Sequence, residues 1–98
     1  MKIVSFNINS IRARPHQIEH LRDTIDPDII GLQETKVNDP DFPIEMINEI
    51  GYHAEYWGQK GHYGVAILSK AKPLNTVKRF IDDSEEDKKR LIQSTHKL

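Results

Sequence analysis

Lys2-Ile3-Val4-Ser5-Phe6 and Ile29-Ile30-Gly31-Leu32 are the two stretches that decide the fold of this 98-residue chain. Both are short, apolar and rich in β-branched residues, the composition of buried strands. Between them Ile11, Ile18, Leu21 and Ile25 recur near one face of a helix, leaving Arg14, His16, Glu19 and Arg22 to face water. Pro15 suits the first turns of that helix, and Asp26-Pro27-Asp28 ends it. Strand, helix and strand in so short a span make a βαβ unit, with parallel strands and a right-handed crossover.

Beyond this unit, Asp41-Phe42-Pro43 reads as the capped start of a short helix. Met46, Ile47 and Ile50 would point inward, and Gly51 would close it. The period then falls to two. His53 to Trp57 and Gly64 to Leu68 flank the loop Gly58-Gln59-Lys60-Gly61-His62-Tyr63 as a hairpin would. A further strand is expected from Leu74 to Ile81, then an acidic loop from Asp82 to Asp87, then Lys88-Lys89-Arg90. No repeat or linker divides the chain.

Composition narrows the function classes. Hydrophobic residues make up 37%, enough for one modest core, and no apolar run approaches the ~18 residues of a membrane span. With 30% charged residues and a mean hydropathy of −0.63, a soluble chain without a membrane partner is expected. The N-terminus does not read as a signal peptide. There is no cysteine, which removes disulfides, thiolate zinc sites and a cysteine nucleophile, and fits a cytoplasmic location. Residues 1–49 hold 5 Lys/Arg against 9 Asp/Glu, and residues 50–98 hold 9 against 6. An acidic half beside a basic strip suggests a cation and a polyanion meeting; the plainer reading is an unevenly charged, solvated surface.

The parallel strands point their C-terminal ends at one edge, where open α/β sheets place ligands. Asn7 follows the first strand and Glu34 the second, so an amide oxygen and a carboxylate come within reach of one ion. Oxygen donors of this kind, with most positions left to water and phosphate, suit Mg²⁺ or Mn²⁺. The alternative is that Asn7 caps the following helix and Glu34 is a surface acid. The glycines of the Gly58–Gly64 loop would let backbone N–H groups approach a phosphate, with Lys60 supplying charge; a plain hairpin turn is the competing explanation. His16 and His20 have a zinc-pair spacing, but no Glu stands at position 17, no third ligand is evident, and the pair is expected to face solvent.

Three segments carry a resemblance: Ser5-Phe6-Asn7-Ile8-Asn9-Ser10-Ile11-Arg12-Ala13, Ile30-Gly31-Leu32-Gln33-Glu34-Thr35-Lys36, and Gly58-Gln59-Lys60-Gly61-His62-Tyr63-Gly64-Val65-Ala66. Together they resemble the N-terminal part of exodeoxyribonuclease III-type abasic-site endonucleases, in the endonuclease/exonuclease/phosphatase family. The similarity runs from Met1 to about Ile92, leaving residues 93–98 as a divergent tail. The resemblance implies part of a four-layered α/β sandwich, two mixed β-sheets flanked by helices. It implies Mg²⁺- or Mn²⁺-dependent hydrolysis of DNA phosphodiesters, as a 3′–5′ exonuclease and abasic-site endonuclease in DNA repair. The partner would be double-stranded DNA with abasic or damaged 3′ sites, and no stable protein partner is evident. Asn7 and Glu34 match the family's metal site. Lys60, His62 and Tyr63 lie where the family presents groups to phosphate, and Arg90 matches a residue near the DNA backbone.

The family's general base, in an Asp-x-Asn motif, and its catalytic histidine have no counterpart among these 98 residues, so no catalytic residue is assigned. His96 stands in the wrong context for that histidine. The chain alone is expected to be an inactive fragment, shortened by truncation or a frameshift near residue 92, with exposed apolar strand faces and marginal folding. Two other readings compete: a catalytically inactive DNA-binding or interaction module, and a phosphoesterase for phospholipids or small phosphates, which the repair-type motifs disfavour.

Overall fold

The computed structural model describes residues 1–58 and 64–72 in full, and the backbone of residues 75–77 and 93–95. The elements are β1 (Ile3–Asn7), α1 (Pro15–Thr24), β2 (Ile29–Gln33), α2 (Ile44–Ile50), β3 (His53–Trp57), β4 (Val65–Ser69), β5 (Asn75–Val77) and β6 (Gln93–Thr95). A single 3₁₀ turn, Asp39–Asp41, precedes α2. The first four strands form one mixed sheet in the order β1-β2-β4-β3, and β5 pairs antiparallel with β6. As the βαβ reading requires, β1 and β2 are parallel, in a register that sets Ile3 beside Ile29 and Asn7 beside Gln33. The expected hairpin also forms, with β3 antiparallel to β4 from His53–Ser69 to Trp57–Val65.

One face of this sheet carries the core. Ile30 and Leu32 of β2 and Ala66 and Leu68 of β4 pack with Ile18 of α1 and Ile47 and Ile50 of α2, all essentially buried. Phe6, Leu21, Ala54 and Tyr56 complete the layer. Phe42 stacks on Tyr56 with ring centroids 3.9 Å apart, which fastens the entry to α2 onto β3. Tyr52, at the exit from α2, buries its ring and donates its hydroxyl to the Pro27 carbonyl at 2.8 Å. Burial pushes that hydroxyl's pKa above the usual tyrosine range.

Several sequence expectations shift. Among the described residues β1 is an edge strand, not a buried one: Ile3 keeps 66% of its surface exposed, and Val4 and Phe6 alone face the core side. A β-branched apolar run looks the same at an edge as at a centre, because periodicity reports no neighbours. Ile25 is the C-cap of α1 and is 42% exposed, while Ile11 is fully buried before the helix begins. Asp41 does not cap α2, because the chain turns through Asp39–Asp41 and Pro43 takes the N-cap position without a side-chain bond. Gly51 does close α2, at φ +116°, the left-handed geometry that favours glycine. Of the strand expected from Leu74 to Ile81, residues 75–77 are described, as β5. Gln93–Thr95, read as the start of a tail, forms a strand against β5. Among the described residues no helix is long and apolar enough to cross a membrane.

Candidate functional site

The C-terminal ends of β1 and β2 continue side by side past the sheet. Ile8 N–H donates to the Gln33 carbonyl at 3.1 Å, Ser10 N–H to that of Glu34 at 2.9 Å, and Ile11 N–H to that of Thr35 at 3.1 Å. The two loops are thereby locked to one another. Four of the five non-glycine residues with positive φ among the described residues lie here: Asn9, Ser10, Glu34 and Lys36. Left-handed backbone at such residues is costly and persists where surrounding bonds over-determine it, a pattern concentrated at functional sites.

These bonds bring together the two residues that the strand-end argument singled out. Asn7, the last residue of β1 and not the one following it, donates its side-chain amide to Glu34 Oε2. Its own Oδ1 accepts the Asn9 N–H at 3.1 Å, a local turn that fixes the amide's orientation. The helix-capping alternative does not hold, since the N-cap of α1 is Arg14, with no side-chain cap bond. Glu34 stands directly after β2, with 43% of its side chain exposed and Oε1 3.8 Å from Lys36 Nζ.

Three residues to which the sequence reading gave no role join this edge. Lys36 Nζ donates to Asn9 Oδ1 at 2.6 Å, and Arg14 Nη1 donates to the Asn9 carbonyl at 2.6 Å. The acidic half of the chain therefore presents one cation, Lys36, beside its carboxylate and a second, Arg14, on the Asn9 loop, an arrangement that suits a negatively charged ligand. A charge count over 49 residues averages this away. No residue pattern in the two loops marks these three in the sequence.

Lys60, His62, Tyr63 and Arg90, the expected phosphate-binding residues, lie outside the described residues. The glycines around that loop show a different reason for being there. A Cβ on Gly58 would overlap the Val37 carbonyl oxygen, and one on Gly64 would overlap Thr35 Oγ1. Gly64 also holds φ +109° and accepts the Thr35 N–H at 3.1 Å. Gly58 donates its N–H to Asp39 Oδ1 at 2.6 Å, so that donor is already used. These two glycines let the hairpin press against residues 35–37, and so support the Glu34 loop from behind. Thr35 is buried there, and its Oγ1 has no hydrogen-bond partner among the described residues.

A metal fits the front of this edge only in one style. Among the described residues no group of three or more His, Asp and Glu side chains gathers around a common point. One carboxylate, oriented by an amide, would leave the remaining positions of a hard cation to water and phosphate oxygens, the habit of Mg²⁺.

Comparison with known proteins gives the family. The model of the Endonuclease/Exonuclease/phosphatase family matches residues 4–94. Exodeoxyribonuclease III of Haemophilus influenzae is 51% identical over 94 residues, covering 96% of this chain and 35% of that protein. Among solved structures, an AP endonuclease from Archaeoglobus fulgidus superposes with a TM-score of 0.86 at 40% identity, over 96% of this chain and 36% of its own. A Neisseria 3′ phosphatase bound to a product DNA hairpin gives 0.86 at 34% identity, over 97% of this chain and 37% of its own. The chain spans about a third of the length of the relatives it matches, and its mixed sheet and helices form the N-terminal part of their α/β sandwich. On its sequence and on its fold, the chain belongs to the endonuclease/exonuclease/phosphatase family.

Proposed function

We propose that this chain contributes the metal-binding edge of a DNA-repair nuclease of the exodeoxyribonuclease III and abasic-site endonuclease type. Its substrate would be double-stranded DNA with abasic or damaged 3′ sites. The observation that carries the reading is the contact between Asn7 and Glu34, made by adjacent strand ends in a chain 51% identical to exodeoxyribonuclease III.

In this reading Glu34 holds Mg²⁺ or Mn²⁺, and Asn7, itself fixed by Asn9, keeps the carboxylate aimed. When bound, the metal offsets charge developing on the phosphate oxygens during phosphodiester hydrolysis. Lys36 and Arg14 attract the phosphate backbone, and Lys60, His62, Tyr63 and Arg90 extend that attraction along the basic part of the sequence. Water attack requires a positioned base, and a carboxylate engaged with a cation serves poorly. No Asp-x-Asn segment occurs among the 98 residues, so these residues alone bind without substantial cleavage.

Three measurements on the purified 98-residue chain and one variant test this. Fluorescence anisotropy with an abasic-site duplex should show binding that weakens log-linearly with salt, while a gel assay in Mg²⁺ shows no substantial incision. Robust Mg²⁺-dependent incision would overturn the assignment of an inactive fragment. Glu34→Gln should weaken Mn²⁺ binding in a direct titration; an unchanged isotherm would remove Glu34 from the metal site.

A further inference from the structure

We propose that His16 and His20 form a second metal site, a two-imidazole chelate for a nitrogen-preferring divalent ion such as Cu²⁺ or Ni²⁺. Both lie on α1, one turn apart. Side chains at this spacing stand one above the other, with Cβ atoms roughly 6 Å apart, close enough for two imidazoles to close on one ion. Both are exposed, and the helix carrying them is pinned to the sheet by Ile18, which is fully buried. The chelate is therefore held on a rigid element, without an ordering cost to the backbone.

One further observation points to a ligand here: His16 and His20 line a single cavity of about 370 Å³, shared with Phe6, Gln17 and Leu21. Among the described residues no third His, Asp or Glu completes the set, so water fills the other positions and binding is reversible. Position 17 is a glutamine, so the pair lacks the carboxylate that would make it a zinc-hydrolase motif. The donor chemistry also separates it from the strand-end site: imidazole suits copper, nickel and zinc, whereas Glu34 suits magnesium.

Copper and nickel salts are the probes, with the intact 98-residue chain. Titration with Cu²⁺ in excess Mg²⁺ should reveal one saturable site whose electron paramagnetic resonance spectrum shows nitrogen coupling from two imidazoles. His16→Gln and His20→Gln should each weaken Cu²⁺ and Ni²⁺ binding at least tenfold, and the double substitution should abolish the two-nitrogen signature. Both side chains are exposed, so the variants should keep the wild-type circular dichroism spectrum. Glu34→Gln should leave this site unchanged, whatever it does to magnesium. An isotherm and spectrum that survive the double substitution, or the absence of saturable binding in the wild type, would overturn the proposal.

Discussion

Asp28 shows how one residue, through its backbone and its carboxylate, can tie three strands at the end of the sheet opposite the site. Its carboxylate accepts the Lys2 N–H at 2.8 Å, its own N–H donates to the Lys2 carbonyl at 2.8 Å, and its carbonyl accepts the Lys70 N–H at 3.0 Å. The bond from the Lys2 amide holds the Asp28 pKa below the ordinary carboxylate value. A carboxylate depressed in the folded state adds stability above its unfolded pKa, and that stability is lost as pH falls through the folded value. Acid titration followed by circular dichroism should therefore show less loss of stability below about pH 4 in Asp28→Asn than in the wild type. Tyr52 gives the opposite slope. Its raised pKa favours the neutral phenol, so stability should fall as pH rises past about 10, and Tyr52→Phe should remove that dependence. At Gly64, φ +109° and the approach of Thr35 Oγ1 act together. Gly64→Ala should cost more than the roughly 1 kcal/mol of backbone strain alone, read as a lower denaturation midpoint.

At the scale of elements, α1 and α2 are held by few but fully buried contacts. Ile18 is the only α1 residue completely removed from water, and Ile18→Ala should destabilise the chain by about 2–5 kcal/mol in urea unfolding. Gly51→Ala meets no atom within 4 Å and isolates the helix-end strain, about 1 kcal/mol. Elements whose signal is local were legible in the sequence. The helical spacing around Ile18 and Leu21, the proline at the first position of α1, the glycine after α2 and the two-residue period of β3 and β4 each follow from neighbours along the chain. What depended on distant residues was not. β1 could not be recognised as an edge, because its exposure is set by which strand lies beside it. Asp41 could not be refused its capping role until the chain was seen to turn through Asp39–Asp41 and leave Pro43 at the N-cap. Gly58 and Gly64 read equally well as phosphate-loop residues, and only the positions of Val37 and Thr35 gave them another purpose. Of the site itself, the pairing of Asn7 with Glu34 follows from parallel strand ends. The roles of Lys36, Asn9 and Arg14 depend on loop conformations with positive φ, which no residue pattern announced.

For the whole molecule, the unevenness of the sheet matters most. Both helices pack on one face, with Ile30, Leu32, Ala66 and Leu68. On the opposite face the register aligns Ile3 of β1 with Ile29 of β2, and β1 has no strand beyond it among the described residues. An unpaired edge beside an exposed isoleucine is an invitation to pair with another chain. Ile3→Lys should raise the protein concentration at which self-association appears in sedimentation velocity, while leaving the helical signal intact. The locked loops at the other end of β1 carry a consequence for how the site comes into being. Asn7 and Glu34 are 27 positions apart along the chain, yet they touch only because β1 and β2 lie parallel. No local helix or hairpin can assemble them, and bringing them together carries the entropy of closing that span. The site exists only where the parallel pair has formed. Anything that binds there recognises the finished sheet, and its affinity adds to the stability of the fold as a whole.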